Sequence, residues 1–156
     1  MNEVRLRPAT LADAELLFVW RNDPLTRQQS IHAEPVAWDS HLDWLAASLQ
    51  NQDRQLFIAE QALPAAQAPV VLGTVRADKI GEDYELSWTV APERRGNGWG
   101  RKMVAALIAT LPAGSAYQAV VLNTNPASGK IAIGLGMAVK SSSPNQTLFA
   151  ARKTVR

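Results

Sequence analysis

The chain contains no cysteine. That one absence excludes disulfides, thiolate nucleophiles and zinc–sulfur sites together. The two histidines, His32 and His41, are too few for a multi-histidine centre, so no metal site is expected. No apolar stretch approaches the ~18 residues needed to cross a membrane. The longest early run, residues 16–20, follows Asp13 and Glu15, which is not the layout of a secretory signal. Charge of either sign is also scarce: 16 Lys and Arg against 14 Asp and Glu leave a net charge of +2. The cations gather in two clusters, Arg94, Arg95, Arg101 and Lys102, and the tail Arg152, Lys153 and Arg156. Neither is a long run interleaved with aromatics, so neither nucleic acid nor membrane is an expected partner. What is present is 156 residues, 47% of them hydrophobic. That is too apolar for a disordered chain and enough for the core of one domain over residues 1–156, expected to be cytoplasmic.

The pattern along the chain alternates between periods of two and of 3.6 residues. Val4 and Leu6 alternate with Arg5 and Arg7 as a short strand that Pro8 ends. Thr10 follows as a helix N-cap with Asp13 in a capping-box position, and Leu11, Ala14, Leu17 and Phe18 share one face of a helix running to about Arg21. Asn22-Asp23-Pro24 breaks it, and residues 25–37 read as irregular with a short helical turn. A second helix over 38–51 presents Leu42, Leu45 and Leu49. Strands are expected at 55–60, 70–77 and 84–90, the last two forming a hairpin, with a Pro/Ala-rich loop over 61–69. A helix from about Gly98 to Leu111 leads to the apolar run 119–122, which reads as a buried parallel strand. A short helix over 128–135, with Gly136 just past its end, and strands at 138–140 and 147–152 complete the order βααβββαβαββ. The fold class that follows is α/β (α+β): a mixed, mostly antiparallel sheet of about six to seven strands with helices on both faces.

The chemistry concentrates in residues 84–108, a strand, then Pro92-Glu93-Arg94-Arg95-Gly96-Asn97-Gly98-Trp99-Gly100, then an amphipathic helix. Glycines there let successive backbone N–H groups converge, and the helix aims its positive dipole end at the same place. No Gly-Lys-Ser/Thr follows, so this is not a P-loop, and its glycine spacing is not a dinucleotide-binding fingerprint.

Arg95-x-x-Gly98-x-Gly100 after a strand resembles the acetyl-coenzyme A pyrophosphate motif of the GCN5-related N-acetyltransferases. The resemblance extends over nearly the whole chain. Arg7-Pro8-Ala9-Thr10 with Asp13 resembles that family's opening, and Asn125-Pro126-Ala127-Ser128 before Gly136-Met137 resembles its late segment. Trp20-Arg21-Asn22-Asp23 and His41 with Trp44 resemble the subgroup that acetylates ribosomal proteins and amino-sugar nucleotides. The resemblance implies transfer of an acetyl group from acetyl-CoA, as co-substrate, to a primary amine by direct attack on the thioester. It further implies that Arg95, Gly96, Asn97, Gly98, Trp99 and Gly100 hold the cofactor's pyrophosphate end. The Val90 N–H would polarise the thioester carbonyl, and Asn125 and Ser128 would touch the cofactor. Arg21, Asn22 and Trp44 are implied at the acceptor, and a homodimer is compatible with the family. An amino-sugar nucleotide is the expected acceptor. A protein N-terminus, and a non-catalytic CoA-binding module, are the alternatives.

Two residues compete for the general base. Alternation puts Glu85, Ser87 and Thr89 on one strand face, and a carboxylate inside that strand serves either as the base, through water, or as a partner of Arg76. His41, early in the second helix, is either a second base or a histidine of the helix's first turn. Trp38 and Trp44 are either core or a flat wall of the acceptor pocket. The chain departs from the family at Ala132, where many members carry the tyrosine that protonates the departing thiolate. Ser128, a water or Tyr117 are the substitutes the sequence offers.

Overall fold

In the computed structural model, which describes residues 3–64 and 67–155, Pro8 closes β1 (Val4–Pro8) and the Thr10/Asp13 pair turns the chain. Residues 65 and 66 of the Pro/Ala-rich loop and Arg156 of the basic tail lie outside the described residues. The capping box is present: the Asp13 carboxylate accepts from the Thr10 N–H at 2.9 Å. It opens a 3-10 turn, Leu11–Asp13, that leads into α1 (Ala14–Asn22). Arg7 grips the same carboxylate with two N–H groups at 2.8 and 2.9 Å and reaches Glu60 at 2.9 Å, so the helix start is tied to the sheet. Asp23 does more than break α1. Its carboxylate accepts from the Thr26 N–H at 3.0 Å and caps a further short helix, α2 (Pro24–Gln28), at the start of the stretch that reads as irregular.

The remaining elements are α3 (Trp38–Gln50), β2 (Arg54–Gln61), β3 (Val70–Ile80), β4 (Asp83–Val90), α4 (Trp99–Thr110), β5 (Ala116–Leu122), α5 (Pro126–Gly134), β6 (Ala138–Ser142) and β7 (Gln146–Arg152). They build one seven-stranded sheet in the order β1-β2-β3-β4-β5-β7-β6. Among the described residues every strand contact is antiparallel except β4–β5. Helices cover both faces, as the alternation of periods predicts. On one face Met103, Val104 and Leu107 of α4 pack on Val75, Ala77, Leu86 and Ala119. On the other, Leu17 and Trp20 of α1 and Leu45 of α3 pack on Leu56 and Ile58.

Three details differ from the sequence reading. Leu11 belongs to the 3-10 turn, not to α1, and is 60% exposed. The inner face of α3 carries His41, Leu45 and Ser48, which leaves Leu49 outside. The run 119–122 alternates in burial, because Val121 faces the α4 core while Val120 and Leu122 face the other side of the sheet. Ala132 is fully buried in the α4 core. A ring at this position enters filled space, so Ala132→Tyr is expected to cost about 1–3 kcal/mol through overpacking. A thermal melt reads this as a drop of several degrees. An unchanged Tm would show that the site has room for a tyrosine.

Candidate active site

β4 and β5 pair only at Tyr84–Tyr117 and Glu85–Gln118. Beyond these positions β4 stays with β3 as far as Gly73–Val90, and β5 stays with β7 as far as Leu122–Gln146. The two strands therefore part. The Ala91 N–H bonds back to the Leu72 carbonyl on β3 at 2.8 Å, so antiparallel alternation turns the backbone groups of Trp88 and Val90 the other way, into the opening.

A side-chain clasp spans the gap. The Trp88 indole N–H donates to Ser128 Oγ at 3.0 Å, and the Asn125 amide donates to the same oxygen at 3.1 Å. Asn125 Oδ1 in turn accepts from the Ser128 N–H at 3.2 Å and caps α5. Both acceptor positions of the Ser128 hydroxyl are thereby filled, which leaves its own O–H to donate.

Two cavities meet at this clasp. The first, about 570 Å³, lies on the α1/α3 side. Its floor is Arg54, Leu56, Thr74, Arg76, Ser87 and Thr89, its walls include Arg21 and Trp44, and residues 29–36 cover it. The second, about 430 Å³, lies against the glycine-rich loop and is lined by Val90, Arg94, Arg95, Gly96, Gly98, Trp99, Gly100, Ala127 and Lys130. Both are lined by Trp88, Thr89, Asn125 and Ser128.

The loop's glycines act by two different means. Gly96 and Gly98 have φ of +81° and +79°, and a Cβ at either would meet nothing within 4 Å. Conformation, not space, requires glycine there. At Gly100 a Cβ would stand 2.7 Å from Ile131 Cδ1 and 3.2 Å from Val90 Cγ2, so this glycine lets α4 pack against α5 and β4. Arg95 donates to Asp23 at 2.6 Å and Thr26 at 2.8 Å, which latches the loop to α2 and holds the Asp23 carboxyl below its usual range. Arg94 also lines the second cavity, and its Nε is buried with no hydrogen-bond partner among the described residues. Trp99 packs partly into the α4 core with the Lys102 ammonium 5.0 Å from its ring centre. Asn97 is exposed, bonds only to the Arg95 carbonyl at 3.3 Å and lines neither cavity.

The expected base residues stand elsewhere. His41 is completely buried, stacked on Trp44 and packed by Phe18 and Trp38. Its Nε2 lies 2.8 Å from the Ala14 carbonyl and its Nδ1 2.9 Å from Arg21 Nη1. A carbonyl only accepts, so Nε2 carries the proton and Nδ1 accepts from Arg21. No nitrogen remains for a substrate, and the role of His41 is to hold Arg21, whose guanidinium carbon lies 4.3 Å from the Trp44 ring centre. Glu85 does not line the cavity. It sits in a cross-strand row Arg54–Asp78–Glu85–Gln118, accepts from Gln118 at 3.3 Å, and adds negative charge near Arg76. Its hydrogen bond goes to Gln118, and the ion pair of Arg76 goes to Asp78, so the geometry forms neither the expected Glu85–Arg76 pair nor a direct contact of Glu85 with the cavity. Asn22 exchanges two bonds with Val36, at 2.8 and 2.9 Å, and pins the covering loop without touching the cavity. Tyr117 is buried in the core, which pushes its hydroxyl pKa up and keeps it from the opening. Arg54 and Trp88 were not singled out from sequence, and Arg76 and Ser87 were named only as the partner and the strand-face neighbour of Glu85, not as cavity residues. The signal was the strand register, Leu56–Arg76–Ser87, which only pairing reveals.

The acetyltransferase (GNAT) domain family model matches residues 3–138, and the chain belongs to this family. It is an acetyl-CoA-dependent N-acetyltransferase. No curated protein matches the chain. Among solved structures, a domain from Methanocaldococcus jannaschii is similar with a TM-score of 0.81 at 21% identity, covering 96% of this chain and 98% of that one. Spermidine N-acetyltransferase from Vibrio cholerae, in complex with CoA and spermine, gives 0.81 at 14% identity over 98% and 97%. The ribosomal L7/L12 alpha-N-protein acetyltransferase RimL, in complex with CoA, gives 0.80 at 10% identity over 100% and 97%. At these identities the likeness is one of fold.

Burial, reinforced by the Arg21 charge, lowers the His41 pKa below its usual 6.5 in spite of the bond to Ala14. The unfolded chain therefore takes up a proton at a higher pH than the folded one. The stability that neutral His41 contributes is complete above about pH 6.5 and is lost as pH falls toward the depressed value. Melts across this window should show Tm falling for the native chain and a flatter profile for His41→Gln. Equal slopes would contradict the assignment.

Proposed function

We propose that this acetyltransferase acts on the primary amine of a small molecule such as an amino-sugar nucleotide, working as a single cytoplasmic domain. The observation that carries the reading is the meeting of two cavities at Trp88, Thr89, Asn125 and Ser128, where one can hold acetyl-CoA and the other an amine. Residues 29–36, pinned by Asn22 over a pocket of about 570 Å³, favour a small acceptor over a peptide. Exposed edge strand β6 is compatible with a homodimer.

The residues of the second cavity fit the cofactor. The left-handed turns at Gly96 and Gly98 and the start of α4 present N–H groups to an anion, and Arg94, whose Nε has no hydrogen-bond partner among the described residues, lines the same cavity. Acetyl-CoA supplies the thioester that the amine attacks, with release of CoA thiol. The backbone edge of β4 at Trp88 and Val90 would offer hydrogen bonds to its pantetheine arm, and the Val90 N–H would polarise the carbonyl. Ser128, already accepting from Trp88 and Asn125, would donate a hydrogen bond from its free O–H to the departing sulfur. His32 and Glu34, exposed side chains lining the acceptor cavity, take the amine's proton toward solvent. The covering loop and the floor orient the amine toward the opening.

Two variants test this assignment. Ser128→Ala should lower kcat about tenfold or more while acetyl-CoA affinity changes little; an unchanged kcat would remove Ser128 from the reaction. A left-handed conformation costs a residue with a side chain ~1–2 kcal/mol, so Gly98→Ala should weaken acetyl-CoA binding roughly tenfold. Calorimetric titration measures it, and an unaltered Kd would show that the loop does not hold the cofactor. For the acceptor, thiol release with amino-sugar nucleotides supports the reading, and turnover confined to N-terminal peptides overturns it.

A further inference from the structure

The floor and wall of the acceptor cavity carry more guanidinium than the surrounding carboxylates engage. Arg21 and Arg76 both line it. Arg21 spends one N–H on neutral His41 and rests over Trp44, and among the described residues it has no carboxylate within ion-pair distance. Arg76 shares its one ion-pair partner, Asp78, with Arg54, which holds that carboxylate at 2.7 Å while Arg76 Nε stands 3.2 Å away. That Nε is buried and makes no directed hydrogen bond; among the described residues the guanidinium's other hydrogen bond is to Ser87 Oγ at 3.5 Å, and Glu85 adds negative charge nearby without pairing with it. Burial lowers the pKa of both arginines, and the charge of Arg76 lowers that of Arg21 further. Two partly dehydrated cations of like sign, held by a histidine ring, a tryptophan face and the sheet, are costly unless an anion completes the group. Planar guanidinium forks match a carboxylate or a phosphate.

We propose that Arg21 and Arg76 form an anion subsite in the acceptor cavity, and that the amine acetylated carries a carboxylate or a phosphate held there. This rests on the cavity being the acceptor site. It narrows the acceptor to amines of that kind and sets the enzyme apart from one that takes polyamines, whose charge the arginines repel. His41 is a positioning residue for the subsite, because its tautomer fixes the direction of the Arg21 fork.

The test is a thiol-release assay at saturating acetyl-CoA on matched amines: an amino acid and its amide, an amino-sugar phosphate and the free amino sugar, a nucleotide-linked amino sugar, and spermidine. In each pair the anionic member should show kcat/KM about tenfold or more above its neutral partner. The pair with the larger ratio identifies carboxylate or phosphate as the natural group. Arg21→Gln and Arg76→Gln should each collapse the ratio toward one, with Arg21→Lys and Arg76→Lys retaining part of it. A melt of each variant checks folding, and if Arg76→Gln does not fold, Arg21→Gln decides. A ratio near one in the native enzyme, a preference for spermidine, or a ratio that survives in the folded Gln variants overturns the subsite and leaves acetyl transfer intact. No turnover of any amine, with acetyl-CoA bound normally, overturns the acceptor cavity itself and the subsite with it.

Discussion

Two residue pairs, Tyr84–Tyr117 and Glu85–Gln118, are all that join β4 to β5, and the architecture of the site follows from their being so few. A ladder continued to Val90 would consume the backbone groups of Trp88 and Val90 and close the sheet. Because it stops, a row of polar backbone is left at the centre of the molecule, where such groups need partners. The strands are kept apart by design on both sides. β4 remains fully paired with β3, β5 with β7, and the helices pack each half onto its own core. The Trp88–Ser128–Asn125 clasp then fixes the width of the gap by hydrogen bonds that a small movement would break.

The two cavities that this opening connects differ in how they present positive charge. On the proposed cofactor side it comes mainly from backbone N–H groups and a helix start, with the Arg95 guanidinium, which also lines the cavity, bound to Asp23. On the acceptor side it comes from side chains whose positions are set from behind, Arg21 by His41 and Trp44, Arg76 by the sheet register and Asp78. Asp23 links the two halves, since its carboxylate caps α2 and also receives Arg95 from the glycine-rich loop. The glycine-rich loop and the helix that leads into the covering segment are thus tied to one carboxylate.

The elements, their order and the glycine-rich loop were legible because each has a local cause: Pro8, the Thr10/Asp13 box, and the glycines that need positive φ; the Asn125 cap, which starts α5 at Pro126 and not at 128, was not. What was not legible depends on pairing and rotation. Strand alternation correctly put Glu85, Ser87 and Thr89 on one face, yet only the register shows that the cavity begins at Ser87 and leaves Glu85 in the row beneath. The helical period of α3 fits either Leu42/Leu45/Leu49 or His41/Leu45/Ser48 as the inner face, and the tertiary contacts select the second. His41 was drawn to the site by its chemistry, whereas its burial is a property of neighbours distant in sequence, Ala14 and Arg21. Gly100 illustrates the same limit, for it is required by Ile131 on another helix and not by its own backbone.

The central claim is that the opening between β4 and β5 is the place where thioester and amine meet. A crystal structure of the protein with CoA bound tests it most directly. The account predicts the pantetheine arm running along the free edge of β4 at Trp88 and Val90, with its sulfur within hydrogen-bond reach of Ser128 Oγ. CoA seated away from that edge, or β4 and β5 joined by a continuous ladder with CoA present, would contradict it.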